Sequence, residues 1–174
     1  MQRLEMESTA TVRVSYLELL GAPAPPLARA RPERIAQERL MRPEYLALYQ
    51  RVGGPVRWDQ RLAMAQQDLD DLLAGEHLSI YVLRNAEGEA LGFCEFDRSG
   101  FPDIELKNFG VVPEAQGRGL GSWLLAVALS AAWDSRPTRI WLHTDEWDHP
   151  AAIPLYLRAG FQVYAVHDQP AGPL

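Results

Sequence analysis

Apolar residues recur along the chain with two periods, and each change of period marks an element. Thr11–Leu19 (TVRVSYLEL) is β-branched and aromatic with partial alternation, and predicts a strand. Gly21–Pro32 (GAPAPPLARARP) holds four prolines and cannot continue that strand, so it reads as a loop or internal linker. Helix formers dominate from Glu33 to about Arg51, with a break expected at Pro43 and a stop at Gly53-Gly54-Pro55. Residues 62–74 (LAMAQQDLDDLLA) predict a second amphipathic helix closed by Gly75.

The pattern then turns to strands. Leu78–Arg84 and Ala90–Asp97 flank the turn NAEGE and predict a hairpin. Asp103–Val112 predicts a further strand, with Gly110 hinting at a bulge. Residues 118–134 show helical spacing at Leu120, Trp123, Leu124, Val127 and Ala131. Thr138–Thr144 is a strand, Pro150–Ala159 a helix stopped by Gly160, and Phe161–His167 a last strand. This order predicts a mixed α/β fold around one sheet, with parallel crossovers in its second half.

Composition narrows the function classes. With 174 residues, 47% of them hydrophobic and 23% charged, the chain suits a single domain, 1–174, with its own core. Residues 1–10 are expected to be a mobile end. No apolar run approaches the ~18 residues of a membrane helix, and MQRLEMEST is too polar for a secretory leader. One cysteine, Cys94, excludes an internal disulfide framework. A cytoplasmic protein is expected. The net charge of −6, with no basic stripe, argues against a nucleic-acid partner. His143 and His149 do not have metal-ligand spacing, so no metal is expected.

The segment richest in chemistry is Phe109–Leu125 (FGVVPEAQGRGLGSWLL), which runs strand, tight turn, helix. Glycines at such a turn let the backbone approach a ligand, and the opening helix turn presents free N–H groups with a positive dipole. This is an anion site suited to phosphate or pyrophosphate, with Arg118 adding a charge. A Walker loop is excluded because no G-K-[ST] follows. G-x-G-x-G also departs from the dinucleotide fingerprint. Gln116, Gly119 and Gly121 fit a coenzyme A loop of the form Q/R-x-x-G-x-G/A.

Two longer patterns accompany that loop. Val111, Pro113, Gln116, Gly117, Gly119 and Gly121 match V-x-P-x-x-Q/R-G-x-G-x-G, and Ala152, Tyr156, Gly160 and Phe161 match A-x-x-x-Y-x-x-x-G-F. In both, the sequence resembles the GCN5-related N-acetyltransferase (GNAT) family. The resemblance covers about residues 78–167, the expected coenzyme-binding core, while residues 20–77 would be the variable acceptor-side region. It implies a mostly antiparallel central sheet flanked by helices and splayed between the fourth and fifth strands. It implies acetyl-CoA as co-substrate, with Phe109, Gly110 and Val111 along pantetheine. The amides of Gln116, Gly117, Arg118, Gly119, Leu120 and Gly121 would lie around pyrophosphate. The family's usual Asn before the last helix is His149 here, a coenzyme-contact candidate or a helix cap.

Amine acetylation needs a base for the amine and an acid for the departing thiolate. By resemblance Tyr156 is the acid. Glu105, eleven residues before Gln116, stands at the offset of the family's catalytic glutamate in histone acetyltransferases and is the expected base. Glu95 is the runner-up base, and Lys107 is expected to pair with Glu105. Tyr49, Trp58, Glu95 and Trp147 are expected at the acceptor site. The reading is an N-acetyltransferase acting on a small-molecule or peptide amine in a ternary complex, with a homodimer as its assembly. Transfer of another acyl group and a non-catalytic coenzyme-binding domain stand as alternatives.

Overall fold

The computed structural model describes residues 11–170, so the end expected to be mobile, residues 1–10, lies outside them. Seven strands form one sheet in the order β2-β3-β4-β5-β6-β1-β7. Six of them lie where alternation places them: β1 (Thr11–Leu19), β3 (Leu78–Arg84), β4 (Ala90–Asp97), β5 (Asp103–Val111), β6 (Arg139–Asp145) and β7 (Gln162–Pro170). The helices are α1 (Arg42–Gly53), α2 (Gln60–Ala63), α3 (Gln66–Ala74), α4 (Leu120–Trp133) and α5 (Ala152–Arg158).

The seventh strand, β2 (Arg34–Glu38), corrects the expectation of helix from Glu33. RIAQE consists largely of good helix formers, but its backbone pairs antiparallel with β3 from Arg34↔Arg84 to Glu38↔Ile80. Arg84 also meets Glu38 at 2.7 Å. Sheet pairing of this kind overrides weak local propensity. Pro43 does not break α1; it sits in its first turn, where a missing N–H costs nothing. The helix expected over 62–74 is two helices, because Met64 and Ala65 are extended.

Only β5 and β6 are parallel neighbours; the other pairs are antiparallel. The several parallel crossovers expected reduce to one because β1 lies between β6 and β7, antiparallel to both. Leu17 faces Leu142 on one side and Val163 on the other. The first strand thus completes the C-terminal half of the sheet, with Val12, Val14 and Leu17 fully buried.

Both faces of the central strands are covered, and β4 is buried without interruption from Leu91 to Phe96. α1 packs Tyr45 and Tyr49 against Phe93. α4 lies against β3, β4 and β5. Its buried face is Leu120, Leu124, Leu125, Ala128, Leu129 and Ala132 rather than one through Trp123 and Val127. A helix apolar almost all round does not specify its own rotation.

The bulge in β5 lies at Lys107, not Gly110: Glu95 faces Asn108 while Phe96 faces Leu106. Gly110 is required for a different reason. A Cβ there would stand 2.6 Å from Val52 Cγ1 of α1.

Candidate active site

β5 and β6 pair over three positions only, Asp103↔Arg139, Ile104↔Ile140 and Glu105↔Trp141. The Lys107 bulge follows at once, and a bulge bends its strand. From there to Val111 the edge of β5 toward β6 has no strand partner among the described residues. Without β2, which the sequence did not predict, these are the fourth and fifth strands, between which the sheet was expected to splay. Unpaired N–H and C=O groups along such an edge can take an extended, amide-bearing ligand as an added strand.

A cavity of about 400 Å³ fills the opening, walled by Leu106–Phe109 of β5 and Leu142–Asp145 of β6. Tyr49, the segment Val56–Gln60, Trp147, Asp148 and Tyr156 complete its lining.

The β5 edge leads into the glycine turn. A Cβ on Gly121 would stand 3.9 Å from Phe109 Cζ and 4.0 Å from the Val111 side chain, so turn and strand edge are continuous. Gly117 and Gly119 both have φ of +74°, a left-handed conformation that side chains disfavour. Gly119 caps α4. The amides of Gly117, Arg118 and Gly119 donate to no backbone carbonyl among the described residues. Those of the first turn of α4, Leu120 and Gly121 included, lack intrahelical acceptors by construction. The Gln116 amide is turned back to the Pro113 carbonyl at 3.2 Å. Leu120 buries its side chain in the core and offers only backbone. The Arg118 guanidinium meets Glu33 at 2.7 Å.

Tyr156 reaches the cavity from α5, 7% exposed, with its ring 6.0 Å from that of Phe109. Burial, assisted by the charge of Asp148, pushes its pKa well above the usual tyrosine value. The phenol therefore keeps its proton. Asp148 is fixed by two donors, Trp58 Nε1 at 3.2 Å and the Thr144 hydroxyl. Trp58 lies so close over Gly53 that no Cβ would fit there, and its ring is 5.4 Å from that of Tyr49. Trp147 stands on the opposite rim with the Arg57 guanidinium 5.7 Å from its ring centroid. Tyr49, Trp58 and Trp147 are thus brought together at the cavity.

Glu95 and His149 are not. Glu95 is 0% exposed; Tyr45 Oη donates to it at 2.5 Å and Arg61 Nη2 at 2.5 Å. It anchors Arg61, and so the segment carrying Trp58 and Asp59, to the core. His149 accepts the Ala151 amide on Nδ1 at 3.1 Å, which is a turn cap. Cys94 is buried, and burial pushes its thiol pKa up, which leaves it unreactive.

Glu105 holds the last paired position of β5 and β6, where the opening begins, and is not among the residues that line the cavity. Its carboxylate is 3.3 Å from Lys107 Nζ and 3.5 Å from His143 Nε2. His143 itself lines the cavity, and burial lowers its pKa despite the opposing charge of Glu105. By sequence, His143 stands out only for a spacing to His149 that does not suit a metal. Its place in TRIWLHT marks a strand position, but only the splay of β5 and β6 exposes that position to a cavity.

A profile of the Acetyltransferase (GNAT) family matches residues 39–161. The chain is 35% identical over 109 residues to a mycothiol acetyltransferase of Clavibacter sepedonicus, covering 61% of this chain and 35% of that one. A mycothiol acetyltransferase of Streptomyces griseus is 36% identical over 112 residues, covering 60% and 34%. The chain therefore spans about a third of the length of these curated relatives. Among solved structures, a GCN5-related N-acetyltransferase from Sphaerobacter thermophilus superposes with a TM-score of 0.60 at 20% identity, covering 91% of this chain and 51% of that one. Sheet, splay, glycine turn and sequence match agree, and the chain belongs to the GNAT acetyltransferase family.

Proposed function

We propose that the chain is an N-acetyltransferase that moves the acetyl group of acetyl-CoA to a primary amine by direct attack in a ternary complex. One observation carries the reading. The unpaired β5 edge runs without interruption from the cavity at Tyr156 to the glycine turn. Such a track suits a ligand with an amide-bearing arm at one end and a diphosphate at the other. Phe109–Val111 would hold the arm through backbone groups, and the amides from Gly117 to Gly121 would hold the diphosphate.

The coenzyme supplies an activated acetyl thioester. The chain supplies the proton transfers. Burial keeps Tyr156 protonated on Oη, so it can present that O–H as a hydrogen-bond donor to a departing thiolate. His143, neutral near pH 7 because burial lowers its pKa, can accept the proton of an incoming amine. Glu105, the base expected from the sequence, would act behind it, its carboxylate 3.5 Å from Nε2 stabilising the charged ring. Lys107 Nζ meets the same carboxylate oxygen at 3.3 Å. The exposed Asp59 on the cavity rim can orient a cationic acceptor.

The curated relatives are mycothiol acetyltransferases, which makes small-molecule amines of that type the first acceptors to screen. The test is release of free thiol from acetyl-CoA across a panel of small amines, peptide N-termini and lysine peptides. Acceptor-dependent release supports the reading. Tight coenzyme binding with no release across the panel would favour a non-catalytic coenzyme-binding domain.

A further inference from the structure

β1 ends at Leu19 beside β6 and β7, whereas β2 begins at Arg34 on the opposite edge of the sheet. Residues 20–33 must span that distance, and they do so as a strap across α4 and α5. A groove of about 380 Å³ separates strap from helices, and its charged lining residues among the described ones are Arg29, Arg31 and Arg158. Pro23, Pro25 and Pro26 stand in its wall. Proline fixes φ, so the strap loses little chain entropy in holding this course.

Among the described residues, Arg31 has no ion-pair partner. Its guanidinium lies over the ring of Trp123, 5.1 Å from the centroid. Nη2 is 4.0 Å from the point a Gly119 Cβ would occupy, at the mouth of the glycine turn. Nε is buried and has no hydrogen-bond partner, alone among the buried side-chain nitrogens and oxygens of the described residues. An unpaired buried donor is costly, and more so on a charged group. Two residues further on, Glu33 meets Arg118 at 2.7 Å. That pair docks the strap on the turn and neutralises the turn's own arginine. Among the described residues, Arg31 is then the cation whose side chain comes within 4.0 Å of the Gly119 Cβ position, facing the free amides of Gly117–Gly121.

We propose that Arg31 is a phosphate clamp: the strap closes over a diphosphate seated on the glycine turn and completes its site beside the first turn of α4. The ligand class is a nucleoside diphosphate, which rests on the reading above that coenzyme A binds at this turn. Arg31 supplies charge-assisted donors, and Trp123 keeps the guanidinium flat against α4.

The test compares wild type, Arg31→Gln and Arg31→Lys in calorimetric titrations with coenzyme A and with dephospho-coenzyme A, which keeps the diphosphate. Pantetheine, which has no phosphate, is followed by ligand-observed NMR, and thermal unfolding checks that each variant is folded. Arg31→Gln should weaken both nucleotides alike, roughly 10- to 100-fold, and leave pantetheine unchanged. Arg31→Lys should recover part of the loss, and it carries the test if Arg31→Gln does not fold. Affinity within twofold of wild type overturns the proposal. So does a penalty that vanishes with dephospho-coenzyme A, or one that pantetheine shares. If wild type binds no coenzyme A at all, the reading of the turn fails first, and the clamp with it.

Discussion

Replacing Glu95 by alanine separates what builds the acceptor side from what binds the coenzyme. The Glu95 carboxylate is 0% exposed and pairs with Arg61, whose side chain is 12% exposed. Tyr45 also donates to it at 2.5 Å. Removing the carboxylate strands a nearly buried guanidinium and a buried phenol together. Breaking one partner of a buried pair costs about 3–5 kcal/mol. For a domain of this size that corresponds to roughly 6–20 °C in Tm. Urea denaturation should show a lower midpoint with an unchanged m-value. The triple variant Tyr45→Phe/Arg61→Met/Glu95→Leu, which removes every polar member, should regain most of the loss. Because Arg61 anchors the segment of Trp58 and Asp59, Glu95→Ala should raise the acceptor KM while the coenzyme Kd stays within about twofold, since the site for phosphate lies on other elements. A loss below about 1 kcal/mol, or a coenzyme Kd that rises as far as the acceptor KM, would refute this reasoning.

Tyr156→Phe should lower kcat by about 10²–10⁴-fold with coenzyme affinity nearly intact; stopped-flow thiol release and calorimetry check the two halves, and full turnover would remove Tyr156 from the chemistry. For His143 the sign follows from burial, which puts its folded pKa below 6.5. The neutral ring is the active form, so the acidic limb of kcat/KM should lie below pH 6.5, and His143→Gln should abolish that limb and depress the plateau. The same shift makes the unfolded chain bind more protons, so stability is full above pH 6.5 and falls as the pH drops toward the folded pKa; His143→Gln should flatten that fall in urea midpoints measured from pH 7.5 to 5. Val14 is fully buried in β1 between β6 and β7, so Val14→Asp should cost more than about 4 kcal/mol and abolish cooperative melting by circular dichroism.

The strands were legible where alternation and turn residues coincide, as in LSIYVLR-NAEGE-ALGFCEFD, because a half-buried strand writes its period into the chain. β2 was not, since RIAQE becomes a strand only through its pairing with β3 and the contact of Glu38 with Arg84. The position of β1 between β6 and β7 joins residues as far apart as Thr11 and Pro170, and no local pattern encodes so distant a partner. The glycine turn was readable because left-handed φ at Gly117 and Gly119 demands glycine. Gly110 misled as a bulge marker because glycine is equally required wherever a neighbour leaves no room for a Cβ. At the candidate site, motif spacing led to Tyr156, and position in the acceptor-side loop and past a strand end led to Trp58 and Trp147; all three line the cavity. Glu95 looked available on its strand, but its burial and its two donors depend on Tyr45 and Arg61, which come from other elements. His143 and Arg31 were missed for a related reason. Their surroundings arise from the splay of the sheet and from the course of the strap.

The central claim is that the glycine turn is the diphosphate seat of an acetyl-CoA site, and calorimetric titration of wild type and Gly119→Asp with acetyl-CoA tests it most directly. Gly119 has φ of +74° and caps α4 in a solvent-exposed turn, so the substitution strains one turn without touching the core. The new carboxylate would repel phosphate, and it would stand beside the Arg31 guanidinium, 4.0 Å from the Cβ position, and quench it. Wild type should bind one acetyl-CoA per chain, and Gly119→Asp, still folded by its thermal transition, should bind at least about 100-fold more weakly. Equal affinity in the folded variant would contradict the account.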